Sequence, residues 1–183
     1  MRLPIKKFFS VVNPRMVALI TSISPDGKPN AMAASWHSPL SHNPPLYGVS
    51  VSPRRATHTN ITKNKVFGVN LLPFELTKSI HICGRISSLR REDKLELAKL
   101  EISEGPELGV PLISQAYVAI ECEVVDSRVF GDHTWFVGRV RSVLAKDVLK
   151  GDIIDLTKVK PSLYLGSERY VTVDPESERE EVV

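Results

Sequence analysis

The stretch from Ala116 to Val124 constrains this chain more than any other. Ala116, Val118, Ile120, Cys122 and Val124 fall on one face of an alternating pattern, with Glu121 and Glu123 on the other. A period of two predicts a half-buried strand, because successive strand side chains point to opposite faces. Cys122 is then a core residue. The run Thr134 to Leu144 (T-W-F-V-G-R-V-R-S-V-L) predicts a second strand, and Gly131-Asp132 between the two reads as a hairpin turn.

The same reasoning predicts further short strands. Met16 to Ser22 (M-V-A-L-I-T-S) reads as buried, and Pro25-Asp26-Gly27-Lys28 as a turn. Asn30 to Trp36 (N-A-M-A-A-S-W) returns as its hairpin partner, with small residues that let the backbone approach something closely. Tyr47 to Ser52 and Val66 to Leu72 read as two more strands. The three prolines within Ser38 to Pro45 predict a loop, since proline is excluded from a central strand. Helices are expected over His58–Lys65, Phe74–Cys83 and Glu92–Glu101, the leucines of the last packing into the body. Many short strands with few helices predict a mainly β protein with α (α+β), a β-barrel with appended helices. No repeat or internal boundary divides the 183 residues, so a single domain is expected over 1–183. The acidic tail at about 175–183 lacks apolar content and is expected to stay disordered.

Charge and composition exclude several classes. A net charge of +3 with dispersed basic residues, apart from Arg54-Arg55 and Arg90-Arg91, does not predict a nucleic-acid partner. No apolar run approaches the ~20 residues of a membrane span, so no membrane role is expected. The N-terminus, Met1 to Phe9, is basic but lacks the apolar stretch of a signal peptide, which makes a cytoplasmic location the default. The two cysteines, Cys83 and Cys122, form no C-x-x-C motif. A structural zinc is therefore not expected, and free thiols are preferred over one disulfide. His37, His42, His58 and His81 show no metal-ligand spacing, and no metal site is expected. No G-x-G-x-x-G occurs, which excludes a Rossmann domain.

Ser50 to Asn60 (S-V-S-P-R-R-A-T-H-T-N) carries the chemistry. Serines, arginines and threonines meet where a strand passes into a helix. Free N–H groups and the positive end of a helix attract an anion, arginine adds forked charge-assisted bonds, and hydroxyls fill the remaining acceptor positions. The set suits a dianionic phosphate. The plainer alternative is a surface turn in which Thr57 or Thr59 caps the helix.

Taken in order, the segments resemble the flavin reductase-like family of FMN-binding split-barrel proteins. The resemblance runs through N-P-R-M-V-A-L-I-T from Asn13, D-G-K-P-N-A-M-A-A-S-W from Asp26 and N-P-P-L-Y-G-V-S-V from Asn43. It continues through T-H-T-N-I from Thr57, V-F-G-V-N from Val66, C-G-R-I-S-S from Cys83 and Asp93-Lys94. G-D-H-T-W-F-V-G-R-V from Gly131 and K-P-S-L-Y-L-G-S-E-R-Y from Lys160 complete it.

The resemblance implies a homodimer of split barrels with FMN, or in some members FAD, near the subunit interface. It also implies NAD(P)H as co-substrate, docked in an open cleft, with a redox partner protein in the carrier-type members. Asn30, Ala34, Ser35 and Trp36 would run along the isoalloxazine. Ser50, Ser52, Arg54, Thr57 and Thr59 would hold the 5′-phosphate, with Arg55 the alternative to Arg54. Lys94 and Tyr164 match positions that approach the cofactor. His133, after the Gly131 turn, would orient the dinucleotide or bond the flavin, its tautomer fixed by Asp132. The plainer readings are a core Trp36, a loop His133, a solvated Lys94 and a partly buried Tyr164. The function implied is an FMN-dependent oxidoreductase that takes hydride from NAD(P)H and passes electrons to free flavin, ferric complexes or another acceptor. The alternatives are a flavoredoxin-like electron carrier and an FMN-binding protein without turnover.

Overall fold

The structure is a computed structural model describing residues 2–88, 90–179 and 181. Met1 and three residues of the acidic tail (180, 182 and 183) thus lie outside the described residues. The described part of the tail holds one 3-10 turn, Pro175–Ser177, whose first N–H groups are capped by Asp174.

A short helix, α1 (Phe8–Val11), precedes strands β1 (Arg15–Met16), β2 (Ala18–Ile23), β3 (Pro29–Ala34), β4 (His37–Ser41) and β5 (Leu46–Val51). Helix α2 (Ala56–Asn64) leads into β6 (Val66–Leu71), and a 3-10 turn at Phe74–Leu76 into α3 (Thr77–Arg85). After α4 (Lys94–Leu97) come β7 (Ile102–Glu104), β8 (Pro111–Ile113) and the long hairpin of β9 (Val118–Phe130) and β10 (His133–Ala145). The chain closes with β11 (Leu149–Lys150), β12 (Ile153–Ile154), β13 (Leu163–Gly166) and β14 (Arg169–Val171).

Seven of these strands form one antiparallel sheet in the order β3-β2-β6-β9-β10-β5-β4. Strands β3 and β4 sit at its opposite ends, yet only Ser35 and Trp36 separate them in sequence. The three Cα steps from Ala34 to His37 span no more than about 11 Å. The sheet must therefore curl until its edges meet, and the seam of the resulting barrel runs through Ser35-Trp36. The Ser50 N–H donates to the Trp36 carbonyl at 2.9 Å, which carries the β4–β5 pairing up to that seam.

Strand β2 opens on the apolar run Ala18-Leu19-Ile20 and is buried along nearly its whole length because both its faces are covered. Ala18 and Ile20 face the barrel interior with Val49, Val51, Phe67, Cys122 and Phe136, and Ile61 of α2 plugs the same cluster. Val17 and Leu19 pack outside it, beneath Ile80 and Cys83 of α3 and the β7–β8 hairpin.

Three sequence expectations need correction. The proline-rich segment holds a strand, β4, which tolerates Pro39 because it is a sheet edge where a missing N–H costs no ladder bond. The helix expected over Glu92–Glu101 is only Lys94–Leu97: Lys99 adopts a left-handed φ of 53°, which turns Leu100 into the core. Leu97 of that helix remains exposed. The alternation in β9 is not a boundary between core and water. Ala116 precedes the strand and packs outside the barrel, and Glu121 is buried beneath the β7–β8 hairpin. Its carboxylate accepts the N–H groups of Glu107 and Leu108 at 3.1 and 2.8 Å.

Candidate functional site

A cleft of about 460 Å³ opens at the seam, lined by Met32 to Trp36 of β3 and its exit, Ser50 of β5, Ser52 just beyond it, Arg54, Arg55 and His133. Strand β3 is a sheet edge, so alternate N–H and C=O groups along it have no ladder partner. Arg54 and Arg55 form no ion pair among the described residues, and the Ser35 and Ser50 hydroxyls make no hydrogen bond there. Helix α2 begins at the rim of this cleft with no side-chain cap on its N-terminus. Neither threonine caps it: Thr57 is buried and accepts a hydrogen bond from the Asn30 side chain at 2.9 Å, and Thr59 is exposed. The concentration of unpaired donors at one mouth is what an anion would satisfy.

Of the residues singled out from the sequence, Ala34, Ser35, Trp36, Ser50, Ser52, Arg54 and His133 meet in this cleft. Arg55 lines it as well, and with Asn30, Thr57 and Lys94 it surrounds a small adjoining void. Lys94 is buried, and its ammonium donates to the Asn30 Oδ1 and the Ala31 carbonyl, each at 2.6 Å. Asn30 in turn reaches Thr57, so a continuous polar chain links α4 through β3 to the first turn of α2. Burial lowers the Lys94 pKa, opposed by the nearby Cys83 and assisted by Arg55. Tyr164 lies in a second hollow of about 270 Å³ with His81, Arg85, Glu168 and Tyr170. This hollow shares Ala33, Ala34, Ser35 and Arg55 with the first. Thr59 lines neither.

Gly131 makes the tight turn that delivers His133, with a left-handed φ of 61°. The His133 Nδ1–H donates to the Asp132 carboxylate at 2.7 Å, which fixes the tautomer and leaves Nε2 as the free ring nitrogen. That hydrogen bond lowers the Asp132 pKa. His133 packs against Trp36 with ring centroids 4.9 Å apart, and Phe9 stacks on Trp36 at 5.3 Å. Trp36 is thus the middle of a three-ring pile rather than a free face. The thiol of Cys83, behind β3, is buried, which pushes its pKa up to about 11.

Sequence reasoning weighed His81 only as a metal ligand and gave no role to Phe9 or Tyr170. The Lys160–Tyr170 motif pointed at the neighbourhood of Tyr170, but only folding brings β13–β14 against α3, where the Tyr170 hydroxyl lies 3.4 Å from His81. Phe9 gave no signal beyond being an apolar residue in a basic terminus.

A mainly antiparallel barrel closed at a seam is the fold of FMN-binding split-barrel proteins, and the comparisons agree. Residues 11–172 match the flavin reductase like domain, and the chain belongs to the flavin reductase-like family. The FMN-binding protein of Thermus thermophilus, solved with p-hydroxybenzaldehyde, superposes with a TM-score of 0.84 at 31% identity, covering 98% of this chain and 97% of that one. Flavoredoxin from Methanosarcina acetivorans gives a TM-score of 0.86 at 26% identity over 100% of this chain and 94% of that one. An NADH-dependent flavin reductase of Rhodococcus is 31% identical over 119 residues, 64% of this chain and 62% of that protein. An uncharacterised Aeropyrum pernix protein is 32% identical over 154 residues, 84% of this chain but 59% of its own length. The chain therefore spans about three fifths of these two relatives.

Proposed function

We propose that the seam cleft binds flavin mononucleotide and that the protein is an oxidoreductase drawing hydride from NADH or NADPH. The observation that carries this reading is the pair Arg54 and Arg55, without ion-pair partners among the described residues, beside Ser50, Ser52 and the uncapped start of α2. Together they offer a doubly charged phosphate forked guanidinium donors, hydroxyls and backbone N–H groups. The larger hollow, about 460 Å³, falls in the size range of small-molecule sites, and the confluent one of about 270 Å³ extends it. Ala34 and Ser35 would lie along the ring system, where fixed donors favour negative charge developing at its polar edge. When bound, the flavin supplies the hydride-accepting and one-electron chemistry.

The chain's own part is to position. His133 orients the incoming dinucleotide through its free Nε2, with Asp132 holding the imidazole. Lys94 and Asn30 fix Thr57 and the phosphate end. No protein base is needed for hydride transfer. The terminal acceptor would be free flavin, a ferric complex or another protein. A homodimer belongs to the same reading. The exposed Val125, Val129, Phe130 and Val143 of the β9–β10 hairpin are apolar surface a second copy could bury. A monomer mass in light scattering at micromolar concentration would refute it.

A second reading, an electron carrier reduced by a separate reductase, is favoured by the flavoredoxin likeness over the whole chain. Anaerobic mixing of the FMN-loaded protein with NADH and then NADPH separates the two. Rapid bleaching of the flavin band supports the reductase, and bleaching only with added reductase supports the carrier. In the same stopped-flow assay, His133→Ala is expected to slow bleaching about tenfold, ~1.4 kcal/mol of barrier, with most FMN retained. Unchanged rate and affinity would remove His133 from the site.

A further inference from the structure

We propose that a further cavity, across Trp36 from the seam cleft, is a binding site for a planar aromatic ring carrying a carboxylate. This cavity is about 380 Å³ and is walled by Phe8, Phe9, Trp36 and Trp135, with Arg15 and His37 as its charged or titratable members. Phe8 and Phe9 are each 54% exposed, an unfavourable disposition for two adjacent phenylalanines unless something covers them. Their rings meet edge to face at 5.1 Å, and Phe9 lies nearly parallel to Trp36, 20° between planes. Trp135 lies close over Gly48 of β5, where any Cβ would collide with its indole. The fourth wall is therefore set by a residue that only glycine lets approach. Stacked and edge-on aromatic surfaces of this kind receive another flat ring.

The polar end of the cavity selects the substituent. The Arg15 Nε donates to the Val12 carbonyl at 2.9 Å, which orients the guanidinium. Its two Nη groups have no acceptor, and Arg15 has no ion pair, among the described residues. That is a forked donor matched to a carboxylate. His37 adds no charge. A carbonyl can only accept, so its Nε2 donates to the Met16 carbonyl at 3.1 Å, and its Nδ1 accepts the Tyr47 hydroxyl at 2.6 Å. Both nitrogens are thus used in the neutral ring. One cation facing four aromatic walls specifies a monoanionic aromatic acid, and the volume suits a single ring system better than a dinucleotide. The cavity shares Ser35, Trp36 and Ser50 with the seam cleft. Its place beside a redox centre rests on the flavin reading above, but the binding chemistry does not.

The chain has two tryptophans, Trp36 and Trp135, and both line this cavity, so intrinsic fluorescence reports on it directly. Flavin-free protein is titrated with benzoate, benzyl alcohol and cyclohexanecarboxylate, and FMN is titrated separately. Saturable quenching by benzoate, with both analogues at least tenfold weaker, is expected. Arg15→Gln should weaken benzoate at least tenfold and leave FMN affinity unchanged, and Arg15→Lys should recover part of the loss. Phe9→Ala, which alters an exposed side chain, should weaken benzoate severalfold with the circular dichroism spectrum intact. No saturable change, an unaltered benzoate affinity in Arg15→Gln, or competitive displacement by NADH would overturn the proposal. Failure of FMN to bind alongside normal benzoate binding would instead sink the flavin reading alone.

Discussion

The far wall of the barrel and its seam treat polar groups in opposite ways. On the far wall, buried Asn70 donates to the Leu19 carbonyl and the Thr21 hydroxyl, both at 3.0 Å, and accepts the Ile113 N–H at 2.8 Å. Glu121 holds two backbone N–H groups, and Asn60 reaches the Ser22 hydroxyl at 3.0 Å. Among the described residues no buried side-chain nitrogen or oxygen lacks a partner. At the seam, by contrast, serine hydroxyls, two guanidiniums and a helix start face open space. Polar residues that serve the fold satisfy one another, and polar residues that serve a ligand are left for it.

The sharpest way to break this comparison is at Asn70. Asn70→Ala leaves the Ile113 N–H and the Leu19 carbonyl short of partners in the core. A loss of about 3 kcal/mol is expected, which for a chain of this size lowers Tm by roughly 6–12 °C. Thermal unfolding of the flavin-free protein measures it, and a change below about 2 °C would show that the wall does not depend on this network. FMN affinity, corrected for folded fraction, should be unaltered.

The seam is expected to respond the other way. Arg54→Ala combined with Arg55→Ala removes no partner from the fold, so Tm should move by about 2 °C or less. Loss of a charge-assisted contact should weaken FMN by about 2 kcal/mol, near thirtyfold, while riboflavin, which lacks the phosphate, is unaffected. Parallel fluorescence titrations of the two flavins test this. Equal losses for both would show that the arginines hold the ring system or the fold and not the phosphate.

The two regions were also unequally legible in the sequence. The strands around Met16, Asn30, Tyr47, Val66 and Thr134 were readable because their apolar runs and turn residues are local signals. Ser50, Ser52, Arg54 and Arg55 were readable as one group because they are contiguous, and the structure brings them to one cleft without Thr59. Glu121 was misread as solvent-facing, since nothing in an alternating strand announces that a distant β7–β8 hairpin will cover its second face. The barrel was readable from its many short strands, but not where it closes: the seam follows from strand order, which sequence spacing does not encode. Lys94 carried a residue identity but no hint of burial, because the partners that justify burying an ammonium, Asn30 and the Ala31 carbonyl, are more than sixty residues away. The Phe9–Trp36–His133 pile joins three remote segments for the same reason.

The smallest expected effect concerns His37, which sits beside the seam but is bonded like a residue of the far wall. Burial lowers its pKa, and donation to the Met16 carbonyl opposes this only in part. The folded protein therefore binds its proton less readily than the unfolded chain, whose histidine titrates near 6.5. Stability should be full above that value and fall as pH drops below it toward the folded pKa, because the unfolded state takes up the proton first. His58 is shifted in the same direction by burial, so the wild-type slope alone does not isolate His37. The informative quantity is the difference from His37→Gln, which cannot be protonated. Between pH 7.5 and 5.5 the wild type should lose about 1 kcal/mol or less, roughly 2–3 °C in Tm, beyond any loss in the variant. A steeper fall in the variant would mean that His37 is held charged, and the tautomer derived from Tyr47 and Met16 would be wrong. Agreement would mark the boundary between self-satisfied wall and open seam as passing between His37 and Trp36, one residue apart in the chain.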